Sequence, residues 1–232
     1  MIRLFTSNSL QQNVAVPATD KQVHYLYHVM RRSVSDEILL FNGQDGEWIA
    51  RIDELNKKKG IFVPISQTRA QTNEAGAVLA VALIKKDCFD FILQKATELG
   101  VKKIIPLITD RTVIHQLSLD RANLIVTEAA EQCERLTIPD IEKPQLLKAF
   151  LNTASPETLV YLSERGESTT TLNCDKNICF IIGPEGGWSP EELQLFEHKK
   201  ISALNLGQLI LRAETAAISI LAAHRFNIFQ KK

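Results

Sequence analysis

Cysteine is scarce and scattered. Four occur in 232 residues, Cys88, Cys133, Cys174 and Cys179, and no two form a CxxC pair. No histidine cluster stands beside them at metal-ligand spacing, so neither a zinc site nor a disulfide framework is expected. Reduced, buried or half-buried thiols in a cytosolic protein are the expectation instead. An excess of one charge is also missing, because 27 Lys and Arg balance 27 Asp and Glu. Nucleic-acid binders usually carry basic excess, so contact with a polyanion must come from a local patch and not from a global field. Long apolar runs are absent as well. The run Val78 to Ile84 is far short of a membrane span. Behind Met1-Ile2-Arg3-Leu4-Phe5 the chain turns polar, so a secretory leader is not expected and a soluble, cytoplasmic protein is. Neither the dinucleotide GxGxxG spacing nor GxxxxGK[ST] occurs, which leaves ordinary dinucleotide chemistry and nucleotide hydrolysis without support.

What is present falls into two regions. Residues 1–70 read mostly as strands and carry nine basic and seven acidic side chains. Glu37 to Phe41 and Glu47 to Ile52 flank Asn42-Gly43-Gln44-Asp45-Gly46, a hairpin signal, and Gly60 to Ile65 reads as a further strand. Val23, Leu26, Tyr27 and Met30 fit one face of a short helix over 21–30. The polar stretch 67–76 then reads as a linker.

From residue 71 the pattern changes. Val78 to Ile84 is a strand buried on both faces, and Asp87 caps a helix through Leu99 that Gly100 ends. Strands at 103–108, 158–162, 178–182 and 203–206 alternate with helices at 119–136, from Ser189-Pro190-Glu191-Glu192, and at 213–229. The helix at 119–136 is expected to bury Ile125, Ala129, Cys133 and Leu136. Strand and helix in alternation argue for a parallel α/β sheet.

Two strand-to-helix loops are candidates for chemistry. Ile181 to Trp188 holds three glycines between an apolar strand and a capped helix. Such loops lie outside the carboxyl ends of parallel strands, where ligands bind. A tight turn with no ligand explains the same residues. Leu206 to Ala216 mixes apolar residues with Arg212 and Glu214. It reads either as the wall of an adenine pocket or as a loop with a solvated ion pair. Arg3, Arg31 and Arg32, with His24 and His28, form a basic cluster in the first region that reads as phosphate contacts or as ordinary surface charge.

Taken in order, several stretches resemble the 16S ribosomal RNA uridine N3-methyltransferases, the small-subunit methyltransferase E family. They are Arg3-Leu4-Phe5, His28 to Arg31, Lys95 to Gly100, Glu128 to Gln132, Ile182 to Gly187, and Leu206-Gly207 with Ile210 to Ala216. The resemblance implies a PUA-like β-barrel over 1–70 that helps hold RNA. It implies a SPOUT-type methyltransferase domain over 71–232, a parallel sheet with a trefoil knot at its C-terminal end. Knots are rare, and no spacing in the sequence points to one. It further implies a homodimer that uses S-adenosylmethionine to methylate N3 of uridine 1498 in the assembled small ribosomal subunit, with no metal and no membrane.

Carried over by position, the cofactor contacts are Leu162, Ile182, Gly183, Gly187, Leu206, Gly207, Leu211 and Ala216. Arg212, Glu214 and Glu185 take the catalytic roles, and Arg3, Arg31, Arg32 and Arg111 the RNA contacts. Two positions depart from the family pattern, Ser35 where a glycine is common and Ala122 where an aromatic residue is often found. The rival expectation is a ribosome-binding scaffold that uses its α/β domain only to dimerise.

Overall fold

The computed structural model describes residues 1–72, 76–155, 158–164, 168 and 178–230. The chain divides into two compact units, one of Met1–Asn73 with Ala130–Ile138, the other of Glu74–Ala129 with Pro139–Lys232. The return of residues 130–138 to the first unit has no signal in the sequence pattern.

The first unit is a five-stranded sheet in the order β1-β3-β4-β5-β2. Its strands are β1 (Arg3–Phe5), β2 (Val16–Pro17), β3 (Glu37–Phe41), β4 (Glu47–Leu55) and β5 (Gly60–Arg69). The expected hairpin is β3 and β4, paired antiparallel from Glu37↔Arg51 to Phe41↔Glu47. Asn42 closes it, since its Oδ1 accepts from the N–H groups of Gln44 (2.9 Å) and Asp45 (2.7 Å). Three register shifts bend β4 against β5, which curls the sheet around Leu4, Leu26, Ile38, Leu40, Ile52 and Phe62. Each such side chain contributes about 1.5–3 kcal/mol on burial. β5 runs to Arg69, so the polar stretch expected to be a linker begins inside a strand.

The short helix is not uniform. α1 (Asp20–His24) opens on a Thr19 capping box and continues as a π-helical turn over Tyr25–Val29. That wider i→i+5 turn breaks the expected apolar face. Val23 and Leu26 are buried, whereas Met30 is 37% exposed.

The second unit holds an all-parallel sheet in the order β12-β10-β11-β6-β7-β8, with β9 also on β7. Its strands are β6 (Val78–Ala82), β7 (Lys103–Ile108), β8 (Asp140–Ile141), β9 (Gln145–Leu146), β10 (Leu159–Leu162), β11 (Cys179–Ile182) and β12 (Ser202–Leu204). Its helices are α2 (Lys86–Glu98), α3 (Leu119–Gln132), α4 (Leu147–Thr153), α5 (Pro190–His198) and α6 (Ala213–Gln230). α3 ends within the part of the chain that belongs to the first unit. Every residue of β11 is buried, as a central strand covered on both faces requires. The core of this unit gathers Leu107, Phe150, Ile181, Trp188 and Phe196.

Three expectations shift. α2 begins at Lys86 with Lys85 as its N-cap residue, so Asp87 lies in the first turn, where its charge meets the helix dipole, and does not cap. α3 stops at Gln132 because Glu134 turns left-handed (φ 60°). On α3 it is Val126, and not Ile125, that is fully buried beside Ala122 and Ala129. α4 and the two-residue strands have too few residues for a periodic signal.

Candidate cofactor cavity at the strand ends

Three neighbouring parallel strands, β12, β10 and β11, end side by side, and the segments leaving them enclose a cavity of about 380 Å³. The walls are Leu162 to Glu164 at the end of β10, Ile182 to Glu185 with Gly187 and Trp188 at the end of β11, and Asn205 to Gly207, Leu209 to Ala213 and Ala216 after β12. Carboxyl ends of parallel strands are where loop backbone turns away from the sheet and leaves room for a ligand. The volume lies in the range of small-molecule sites. Ile182, Gly183, Gly187, Leu162, Leu206, Gly207, Leu211 and Ala216 all line it, as do Glu185 and Arg212.

Trp188 forms one wall. Its indole Nε1 donates to the Leu162 carbonyl at 2.8 Å, tying the end of β10 to the glycine loop. Its ring meets Phe196 edge-on at 5.0 Å and Tyr161 at 6.4 Å. A side chain at Gly183 would bring Cβ to 3.1 Å from that ring, so the indole would have to give by a few tenths of an ångström to admit one. Gly187 stands at φ +68°, closing a turn through its N–H to the Pro184 carbonyl (2.9 Å). The Glu164 carboxylate hangs over it, 3.3 Å from where a Cβ would be.

A buried polar network holds this loop from behind. Glu192, 1% exposed, accepts from the N–H of Ser189 through Oε2 and from the N–H of Asp110 through Oε1, each at 2.9 Å. Ser189 Oγ accepts from the Glu192 N–H (3.1 Å) and donates to Asp110 Oδ2 (2.6 Å). The expected capping box of α5 therefore also anchors the segment after β7. From that segment Arg111 Nη1 donates to the Gly186 carbonyl at 2.7 Å. Arg111, expected among the phosphate contacts, is thus exposed at the glycine loop with one N–H already used.

Glu214 does not line the cavity. It sits on α6, and its carboxylate is among the charges that act on the half-buried Cys88 thiol. Desolvation raises the Cys88 pKa, the carboxylates of Glu214 and Glu185 push it the same way, and Arg212 works against them. Glu185 and Arg212 of the cavity lining, together with Glu214 outside it, thus act on the Cys88 thiol. Cys88, expected as a reduced, buried or half-buried thiol, is free and half-buried, and nothing in the sequence signals its charged neighbours. Glu164, Asn205 and Trp188 were missed, although a tryptophan directly after a glycine-rich loop is a visible signal for a packed wall.

The basic residues of the first unit divide. Arg3 is not an RNA contact. It is 8% exposed, its Nε donates to Glu47 (2.6 Å), and its two terminal nitrogens donate to the carbonyls of Ala130 (2.8 Å) and Arg135 (2.5 Å). Its guanidinium lies 3.7 Å over the Phe41 ring. A buried guanidinium engaged at all three nitrogens fastens residues 130–138 to β1 and is closed to a phosphate. Arg31 is exposed and left-handed at φ 51°, while Arg32 shares its charge with Asp36 at 3.8 Å. Cys174 lies outside the described residues. Among those described, no group of His, Cys, Asp or Glu is placed to hold a metal, and no helix is long and apolar enough to cross a membrane.

Comparison with known proteins covers both units. Residues 71–225 match the RNA methyltransferase domain family, and residues 18–65 match the RNA methyltransferase PUA domain. The ribosomal RNA small subunit methyltransferase E of Rickettsia conorii is 36% identical over 96% of this chain and 94% of its own length. A ribosomal RNA small subunit methyltransferase E from Neisseria gonorrhoeae, solved with S-adenosylmethionine, superposes with a TM-score of 0.89 at 29% identity over 98% of both chains. A Legionella pneumophila protein described as a methyltransferase, with the same cofactor bound, superposes equally well at 28% identity over 97% of both chains.

Proposed function

The chain belongs to the ribosomal RNA small subunit methyltransferase E family, with a PUA-like first unit and a SPOUT-type second one, and on that premise we propose that it methylates N3 of a uridine in 16S ribosomal RNA. The observation that carries the reading is the cavity of about 380 Å³ built from the three strand-end loops. S-adenosylmethionine fits the residues present. It is a sulfonium cation with an adenine, a ribose and an amino-acid tail. The cavity offers apolar walls for the base, loop backbone for directed hydrogen bonds, and two carboxylates, Glu164 and Glu185, for the positive charge. Leu162, Ile182, Gly183, Gly187, Leu206, Gly207, Leu211 and Ala216 hold it in this reading, as the walls of a trefoil knot.

The cofactor supplies a methyl group already activated for transfer to a nucleophile. The residues of the chain then have three tasks. Loop backbone positions the donor against the base, which is worth several kcal/mol of barrier when the alignment is good. Glu185, exposed on the cavity wall, accepts the N3 proton. Arg212, exposed at the mouth, faces the negative charge that spreads to the uracil carbonyls as that proton leaves. Glu214, assigned a catalytic role by the resemblance, lies outside the cavity lining and acts on the Cys88 thiol beside it. N3 is on the pairing edge, so the nucleotide must be unpaired or flipped out to react.

The finer target, uridine 1498 on the assembled small subunit, follows from the family resemblance. So does the homodimer, which α6 supports. Thr215, Ser219, Ala222, Ala223 and Phe226 leave an almost uncharged exposed stripe, with Leu209 79% and Ile210 62% exposed in the loop before it. Transfer of labelled methyl from S-adenosylmethionine to unmodified small subunits, mapped by reverse-transcription stops, tests the reading. One stop near the decoding end of the long penultimate helix is the expected result. No incorporation by a chain that binds the cofactor would refute the substrate.

A further inference from the structure

The first unit has no large net charge, and most of its cations are already paired. Of the nine Lys and Arg in residues 1–73, Arg3 and Arg69 lean on Glu47, Arg32 on Asp36, Arg51 on Asp53 and Lys59 on Glu54. Among the described residues, Lys21, Arg31, Lys57 and Lys58 make no ion pair. What the overall balance hides is therefore a small residue of uncompensated charge, and its position is informative.

Lys57 and Lys58 occupy the turn between β4 and β5. Asn56 Oδ1 shapes that turn by accepting from the N–H groups of Lys58 (2.9 Å) and Lys59 (3.0 Å). The two lysines share a concavity of about 340 Å³ with His24 and His28. Those histidines lie one helical turn apart, and their rings are 5.1 Å centre to centre. Asp20 is in the same concavity and pairs with neither lysine within 4 Å. Lys57 and Lys58 from the turn and His24 and His28 from the helical segment thus line one open depression. Histidine and aspartate together can also mark a metal site, but no group of three ligands is placed for one among the described residues.

We propose that this concavity is a phosphate-backbone site, in which Lys57 and Lys58 supply charge and the N–H groups of His24 and His28 supply directed donors to one or two successive phosphates of an RNA strand. The inference rests on the methyltransferase reading above and adds to it a place where the first unit grips RNA. Several observations favour RNA over a free anion. The depression is open, so a free phosphate would stay hydrated there. Asp20 opposes any single anion, whereas a polymer gains from releasing its condensed counterions. Residues 18–65, the part matched by the RNA methyltransferase PUA domain, contain the whole site. Its contribution is independent of sequence, since phosphate contacts set register and carry no base information.

The full-length double variant Lys57→Gln/Lys58→Gln tests the inference. Binding to small-subunit ribosomal RNA is measured over a range of salt, with S-adenosylmethionine titration as a control for the other unit. Both lysines are exposed on a turn, so folding is undisturbed. The slope of log affinity against log salt is expected to fall by about 1–2, at roughly 0.7–0.9 for each phosphate no longer neutralised, with cofactor binding unchanged. His24→Gln/His28→Gln is expected to weaken binding with the slope retained, and Asp20→Asn to tighten it. A double lysine variant with the salt slope and affinity of the wild type, when the wild type does bind RNA, would overturn this inference alone. A wild type that neither binds nor methylates the RNA would overturn the reading beneath it as well.

Discussion

Replacing Glu192 by glutamine removes one oxygen and one charge from the middle of the network behind the glycine loop. The carboxylate has an N–H on each oxygen, from Asp110 and from Ser189, both at 2.9 Å, and only 1% of the residue is exposed. The amide can accept only one of these and turns its NH₂ toward the other donor. One hydrogen bond to a charged group disappears, worth about 1.5–3 kcal/mol. A buried N–H is left facing a second donor, costing about 1–3 kcal/mol more. Relief of the carboxylate's own desolvation offsets part of this, so the net loss is about 3 kcal/mol. At 2–4 °C for each kcal/mol in a chain of this size, the midpoint falls by roughly 6–12 °C. Urea unfolding followed by tryptophan fluorescence reads it directly, because Trp188 belongs to the same loop. Glu191→Gln, one residue earlier and exposed, is the control, with a change under about 0.5 kcal/mol. A Glu192→Gln loss below about 1 kcal/mol, or an equal loss at Glu191, would show that the network does not anchor the loop.

Arg3→Ala should destabilise the first unit by about 3–5 kcal/mol in urea, since it strands the buried Glu47 carboxylate, while Arg31→Ala at its exposed site should cost less than about 0.5 kcal/mol. Ser35→Gly should be neutral to stabilising, by up to about 1 kcal/mol. Ser35 sits at φ 76°, where a side chain costs about 1–2 kcal/mol, and the extra backbone entropy of glycine cancels part of the gain. The two thiols should differ in alkylation. Burial pushes Cys179 up to about 12, so it stays protonated and unreactive in the native protein at pH 7–9. Because an unfolded thiol ionises near pH 8.5–9 and the folded one does not, that residue should lower stability as pH rises through 9. Cys88, also raised but half-buried, should react slowly at pH 7 and faster at pH 9, and Glu214→Gln should speed it by removing a carboxylate that favours the thiol form.

Much of the architecture was legible because it follows from patterns with a physical period. The buried strand at 78–82, the capping box at Ser189 and the closing helix from Ala213 all stand where apolar runs and caps put them. The cavity residues were legible for a different reason. Glycines between a strand and a helix mark a place where backbone can approach a ligand closely, and these residues do line the cavity. The rest depended on contacts made far along the chain. Arg3 looks like a surface cation until residues 130–138 come back to cover it. Cys88 has no motif of its own, and its surroundings are set only when the fold brings the Glu214 carboxylate near it. The π-helical turn at 25–29 could not be read from apolar spacing, which suggests a face but does not fix the hydrogen-bond pattern of a single turn.

Whether the three strand-end loops hold S-adenosylmethionine is decided by titrating the cofactor into the wild type and into Gly187→Val. A branched side chain at φ +68° is strained and would crowd the Glu164 carboxylate over the cavity. One binding site per chain is expected in the wild type, and a drop of at least tenfold in affinity in a variant that still folds and still binds RNA. No heat from the wild type at high protein concentration, or full affinity in Gly187→Val, would mean that the cofactor is held elsewhere or not at all.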